Sequence, residues 1–210
     1  MTAKATRIGL FFGSFNPIHI GHLIIAQHML EHADLDKVWF VVSPHNPHKP
    51  RKTLARDADR LHMVRLAIDD NPGFHASNIE FSLPKPSYTV DTLAYLRDQY
   101  PEHAFSLIMG GDNLASLAKW KNYEILLRDY TLLVYRRPGH EGTDFDDHPS
   151  VRFFDAPQLN ISATFIREQI REGKSIRYLS RIRCSSFWMG GGCIAISRRR
   201  LCMILHPSGW

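Results

Sequence analysis

The chain has 210 residues, 44% of them hydrophobic, and a formal charge of +5, which suffices for one buried core in a single domain. No run approaches the roughly 18 apolar residues of a membrane span, and Met1 to Arg7 feed straight into an apolar segment, so no secretory leader is expected. All three cysteines (Cys184, Cys193, Cys202) lie near the end, so the body has no disulfide framework and a cytoplasmic protein is expected. Arg198-Arg199-Arg200 and their neighbours supply much of the positive charge. A phosphate-rich small molecule accounts for the remaining basic residues as well as a nucleic acid would, and neither a nucleic-acid nor a membrane partner is expected.

The first predicted element is a buried strand, Ile8-Gly9-Leu10-Phe11-Phe12, followed by the turn Gly13-Ser14-Phe15-Asn16-Pro17-Ile18 and a helix opening at His19-Ile20-Gly21-His22. Strand, glycine turn and helix in this order aim a helix N-terminus at one point above a parallel sheet, where an anion belongs. Gly13 permits close approach of the backbone, and Pro17 stiffens the turn. His19 and His22 are three apart, so on a helical turn both imidazoles face one side. There they can bind a phosphate and take up charge as a leaving group departs. Solvated or quietly packed histidines, or a zinc pair awaiting a third ligand, are the alternatives.

Glycine, aromatic, proline and His-x-Gly-His fall in register at Gly13, Phe15, Pro17, His19, Gly21 and His22, and here the chain resembles the nucleotidyltransferase superfamily. The resemblance implies a Rossmann-like open parallel α/β sheet with helices on both faces. It also places Gly13, Ser14, Phe15 and His22 in an ATP site.

The run Val38 to Val42 reads as a fully buried second strand. A stiff basic loop follows on the same rim, Ser43-Pro44-His45-Asn46-Pro47-His48-Lys49-Pro50-Arg51-Lys52. Composition leaves Lys49 equally suited to solvent or to a phosphate; the superfamily's Pro-His-Lys-like segment at this place implies a nucleotide contact. The spacing predicts a helix over 57–69, burying Leu61, Val64, Leu66 and Ile68, then a strand over 79–83 halted by Pro84 and Pro86. Ser87 or Thr89 is suited to cap a helix reaching about residue 99. The segment Ser87-Tyr88-Thr89-Val90-Asp91-Thr92 also resembles the branch that acts on pyridine mononucleotides, the bacterial nicotinate-nucleotide adenylyltransferases. That resemblance implies Tyr88 and Thr89 at the nicotinate ring.

A further buried strand, 104–109, opens into Gly110-Gly111-Asp112-Asn113. Asp112 has three roles open to it: capping the next helix, bonding a ribose, or organising the loop. Trp120 reads as a core residue by composition and as a pyridine-ring contact by resemblance. Strands follow at 131–135 and 151–155, and the alternation of strand and helix predicts an open parallel sheet. In Asn160-Ile161-Ser162-Ala163-Thr164-Phe165-Ile166-Arg167, Asn160 or Ser162 can cap a helix. Ser162, Thr164, first-turn amides and Arg167 then converge on one spot, where Arg suits phosphate oxygens. The alternative is a capped surface helix with a solvated Arg. The stretch resembles the family's Ile-Ser-x-Thr-x-Ile-Arg element, which binds ATP phosphates.

The resemblance covers about residues 7–179. It implies a nucleotidyltransferase domain over 1–179 that joins ATP and nicotinate mononucleotide, with release of pyrophosphate, on the way to NAD. His19, His22 and Arg167 are then the catalytic residues. Asp112, Lys49, Ser162 and Thr164 complete the ATP set, and Tyr88, Thr89 and Trp120 the nicotinate-nucleotide set. Mg2+ is expected mainly on ATP, with no protein metal site. The alternatives are transfer to nicotinamide mononucleotide or pantetheine phosphate, or a nucleotide-binding protein without catalysis. Oligomeric state is not legible.

From residue 180 the sequence changes character, losing periodicity and gaining every cysteine. Reading the last base of each codon with the first two of the next gives Asp across Trp188-Met189 and Gly across Met189-Gly190. With permitted codons, 180–195 then reads Pro-Asp-Pro-Val-Leu-Lys-Phe-Leu-Asp-Gly-Gly-Arg-Leu-Tyr-Arg, close to the ending that the resemblance implies. The tail 180–210 is therefore expected to be a frameshift product; a metal- or nucleic-acid-binding tail is the rival, with no tight Cys-x-x-Cys spacing to support it.

Overall fold

In the computed structural model, which describes residues 4–44, 54–136, 142–157 and 159–181, strands and helices alternate. β1 (Thr6–Gly13) leads to α1 (Ile20–His32), β2 (Lys37–Val42), α2 (Asp57–Ile68), β3 (Phe74–Ser77) and α3 (Thr89–Gln99). The second half runs β4 (His103–Gly110), α4 (Gly111–Ala115), α5 (Tyr123–Asp129), β5 (Thr131–Tyr135), β6 (Val151–Phe154) and α6 (Ala163–Arg171). The sheet order is β3-β2-β1-β4-β5-β6 and every pairing is parallel. The chain steps outward from β1 to β3, then crosses back to place β4 against β1. This reversal opens a crevice above the carboxyl ends of β1 and β4, where open α/β sheets bind their ligands.

Strand side chains alternate between two apolar layers, as the two-residue period requires. Phe11, Val38, Phe40, Ile108 and Leu133 pack with residues of α1, α2 and α6, including Met29, Val64 and Ile166. Leu10, Trp39, Val41, Leu107 and Leu132 pack with α3, α4 and α5 through Leu93, Leu114 and Leu126. Helices therefore cover both faces, as the near-continuous apolar strands predict. At the amino ends of the strands, Arg7 donates to Asp36 through both its backbone amide and its guanidinium. Those bonds hold the Asp36 carboxyl well below the usual carboxylate range.

The expected strand over 79–83 is absent, which is a correction. The edge strand is β3, in register with Val38 to Val41, and Ile79–Phe81 forms a single 3-10 turn. The apolar alternation of Ile79, Phe81 and Leu83 imitated a strand, but that turn carries Glu80 inward to 3% exposure. There it accepts a 2.9 Å hydrogen bond from the Thr92 hydroxyl. Two expected caps also differ. Tyr88 is the N-cap of α3, without a side-chain bond, and Thr89 is already helical; Gly110 occupies the corresponding position for α4, so Asp112 is not its cap. Ser162 does cap α6, accepting from the Phe165 amide at 3.1 Å.

Among the described residues no helix is long and apolar enough to cross a membrane. The expected frameshift segment lies outside the described residues from 182 onward. Just before the segment, the Leu179 carbonyl accepts from the Ile20 amide at 3.0 Å, and within its described start Arg181 pairs with Asp70.

Candidate active site

Gly13 ends β1, and a Cβ there would lie 2.8 Å from the Phe15 ring. The glycine thus lets the protein's own aromatic fold back over the strand end, whereas the sequence suggested room for a ligand. Phe15 reaches that place with φ at 42°, left-handed and unfavourable for a bulky residue. Its ring is 2% exposed and meets Phe11, Phe40 and the imidazole of His22 at centroid distances of 5.9, 5.7 and 5.2 Å. The side chain of Phe15, a member of the expected ATP set, packs into the core behind His22, which leaves its backbone as the part that can meet ATP.

His19 is the N-cap of α1 and is buried; His22 is the third helical residue and half-buried. Their rings lie 3.7 Å apart, inclined by 32°, so the pair does share one side. Gly21 between them is explained by contact, since a Cβ would sit 3.1 Å from His19 Nδ1. The His19 backbone amide donates to His22 Nδ1 at 3.2 Å. An accepting Nδ1 leaves the proton of the neutral ring on Nε2, which makes Nε2 a donor for an anionic oxygen. The helix opening itself is partly sealed, because Leu179 takes the Ile20 amide. Side chains, more than backbone amides, are the donors here.

The second expected phosphate element reaches this turn directly. Arg167 Nη1 donates to the carbonyl of Asn16 at 2.7 Å, and Nη2 to the Thr164 hydroxyl at 3.0 Å. A contact spanning 151 residues of sequence thereby joins the start of α6 to the histidine turn. Partial burial draws the Arg167 pKa down, with Arg171 adding repulsion. Ser162 and Thr164 remain exposed beside it. While Ser162 Oγ accepts from Phe165, its own proton is available for donation.

Asp112 lies exposed just past the end of β4, the strand beside β1. A Cβ at Gly110 would fall 2.4 Å from its carboxylate and 3.1 Å from the buried Tyr135 ring. On the α3 side, Tyr88 is 39% exposed, Thr89 opens the helix, and Trp120 is half-buried, packed against the core on that face. Lys121 connects the two, its Nζ 2.9 Å from Asp91 and 4.7 Å from the centroid of the Tyr88 ring. Tyr88 and the Trp120 neighbourhood are thus drawn together. Lys49 falls outside the described residues. Among the described residues no group of three or more His, Cys, Asp or Glu is placed to hold a metal ion.

The cytidylyltransferase-like family profile matches residues 10–169. A probable nicotinate-nucleotide adenylyltransferase of Cytophaga hutchinsonii is 57% identical over 173 residues, covering 82% of this chain and 90% of the relative. The chain belongs to the nicotinate-nucleotide adenylyltransferase family. A second such relative, from Flavobacterium johnsoniae, is 54% identical and covers 82% of the chain and 91% of the relative. Two solved structures share the fold. Nicotinic acid mononucleotide adenylyltransferase of Plasmodium falciparum, complexed with NaAD, has a TM-score of 0.70 at 19% identity, covering 81% of this chain and 87% of that one. The Plasmodium falciparum enzyme complexed with APC has a TM-score of 0.68 at 18% identity, covering 81% of this chain and 87% of that one.

Two buried polar residues of this nicotinate-nucleotide adenylyltransferase fold escape a search of the sequence. Arg60 is fully buried under the glycine turn. Helical spacing places it on the apolar side of α2, but an Arg amid Asp57, Asp59 and Arg65 reads as a solvated face. Glu80 is the other. Burial pushes its carboxyl up, opposed by the nearby Ser43 and by the hydrogen bond from the Thr92 hydroxyl. The false strand assignment over 79–83 hid it.

Proposed function

We infer that this chain transfers the adenylyl group of ATP to nicotinate mononucleotide, releasing pyrophosphate and forming the deamido dinucleotide on the way to NAD. The contact from Arg167 to the Asn16 carbonyl carries the adenylyl-transfer part, because it brings the second phosphate-ready helix start to the histidine pair. The acceptor follows from relatives that are about half identical over most of their length.

The mononucleotide phosphate is already an anion at neutral pH, so its oxygen attacks the α-phosphorus of ATP without needing a strong base. The attack is in line, and the bond to the pyrophosphate oxygen breaks as the new one forms. Catalysis then consists of positioning and of donors aimed at developing charge. His22 Nε2–H donates to the α-phosphate, with His19 at its side. Arg167, Ser162 and Thr164 hold the β- and γ-groups, and Lys49 assists. Gly13 and Ser14 shape the floor, and Asp112 serves the nucleoside. Tyr88, Thr89 and Trp120 receive the pyridine ring. The donor set here is imidazole, guanidinium and hydroxyl, which suits phosphate oxygens better than a divalent cation. A divalent cation such as Mg2+ would then be carried by ATP itself and would supply charge neutralisation on the triphosphate.

The test is pyrophosphate release with ATP and a panel of acceptors. Nicotinate mononucleotide should be the best substrate by kcat/KM. A preference for nicotinamide mononucleotide or pantetheine phosphate would move the chain to another branch. ATP binding without turnover of any acceptor would leave only a nucleotide-binding protein.

A further inference from the structure

Among the described residues, Arg60 is the largest side chain with no solvent exposure. A buried guanidinium is costly unless each donor is met, and a well-packed apolar residue usually serves stability as well. Here all five N–H donors of the group have acceptors. Nε donates to the Ala55 carbonyl at 3.2 Å. Nη1 donates to the carbonyls of Ser14 and, at 2.8 Å, Ser43. Nη2 donates to the Pro44 carbonyl at 3.1 Å and to Asp57 Oδ1 at 2.7 Å.

These acceptors are not scattered. Ser14 belongs to the glycine turn, Ser43 and Pro44 form the exit of β2, Ala55 lies just before α2, and Asp57 begins it. Asn16 adds a parallel tie, accepting from the Ala55 amide at 3.1 Å. One rigid fork thus fixes the spacing between the histidine turn and both ends of the segment that carries Lys49. The Ser14–Phe15 peptide is trans, so drawing the Ser14 carbonyl onto the guanidinium turns the Phe15 N–H the opposite way.

We propose that Arg60 is a positioning residue for adenylyl transfer, setting the geometry of the ATP side of the site through backbone carbonyls without touching substrate. The proposal rests on the adenylyl-transfer function inferred above. Lysine at this position keeps the charge but cannot reproduce a five-donor planar fork.

The experiment compares wild type, Arg60→Lys and Asp57→Ala with Phe105→Ala, a core truncation at the far, amino end of β4 chosen to match loss of thermal stability. Wild-type turnover tests the function itself; the variant-to-wild-type ratios test Arg60. Each variant is assayed well below its own melting temperature, varying ATP and nicotinate mononucleotide separately. Arg60→Lys should lose about 100-fold in kcat/KM for ATP, the scale of an ångström-sized misplacement. Its KM for the mononucleotide should stay within about threefold. Asp57→Ala removes one acceptor of five and should move the same way by roughly fivefold, which keeps the test decisive if Arg60→Lys does not fold. Phe105→Ala should melt early with kinetics near wild type. Equal losses for both substrates, or Arg60 and Asp57 variants no slower than Phe105→Ala at matched stability, would overturn the proposal.

Discussion

The two halves of the candidate site are built differently. Around the histidine turn, polar groups are buried or half-buried and tied: His22 to the His19 amide, Arg167 to Asn16, Asn16 to Ala55. On the α3 side, Tyr88 is exposed, α3 begins without a side-chain cap, and the link to Lys121 is a surface ion pair with a ring contact. A site that stabilises charge on a triphosphate gains from donors fixed before the ligand arrives, because they need no reorganisation during reaction. A ring pocket gains affinity from contact area and tolerates adjustment on binding. The difference teaches that rate should reside in the first half and acceptor affinity in the second.

The largest effect should come from His22→Ala, which removes the donor proposed for the α-phosphate. A loss of about 10²–10³-fold in kcat is expected, corresponding to ~3–4 kcal/mol, with a much smaller change in either KM. An unchanged kcat would erase the contrast between the halves. Arg167→Lys keeps a cation but gives up the fork that spans Asn16 and Thr164; about a 30-fold fall in kcat/KM for ATP is expected. Steady-state kinetics with saturating acceptor would measure it. Tyr88→Ala and Trp120→Ala should act in the other half, raising KM for nicotinate mononucleotide by roughly 5–10-fold, on the scale of one aromatic contact, while kcat holds. If these variants lose kcat instead, the acceptor side is as preorganised as the phosphate side.

The smallest effect concerns Glu80, which bonds the Thr92 hydroxyl at the start of the looser half. Its folded pKa is raised, chiefly by burial. Its contribution to stability is thus complete at acid pH, below the ordinary value of 4.5, and declines as pH rises through the raised value. Glu80→Gln cannot ionise, so its stability relative to wild type should improve as pH climbs from acid to neutral. Urea melts at several pH values would show the trend; a constant difference would mean that Glu80 does not titrate there.

The parallel sheet was legible because β1, β2, β4 and β5 are continuous apolar runs, and such runs have few other uses in a chain of this size. The histidine turn and the Ser162–Arg167 stretch were legible because each combines turn, cap and charged residues at fixed spacing. β3 was not, since Phe74-His75-Ala76-Ser77 has neither apolar continuity nor clean alternation and owes its pairing to β2. The α3 and α4 caps failed for a related reason. Ser87, Thr89 and Asp112 are good capping types, but tertiary contacts decide where a helix begins. That the Phe15 ring packs behind His22 depends on a left-handed φ no composition reveals. Arg60 shows the same limit most clearly, because a buried guanidinium and a solvated one have identical letters.

The central claim is that two helix openings, far apart in sequence, act on one triphosphate. A double-mutant cycle on kcat/KM with His22→Ala, Arg167→Ala and the pair tests it most directly. Residues acting on the same group are coupled, so the pair should fall short of the product of the single losses by about tenfold. A double variant whose loss equals that product would mean that the two side chains work on separate chemistry, and the account would fail.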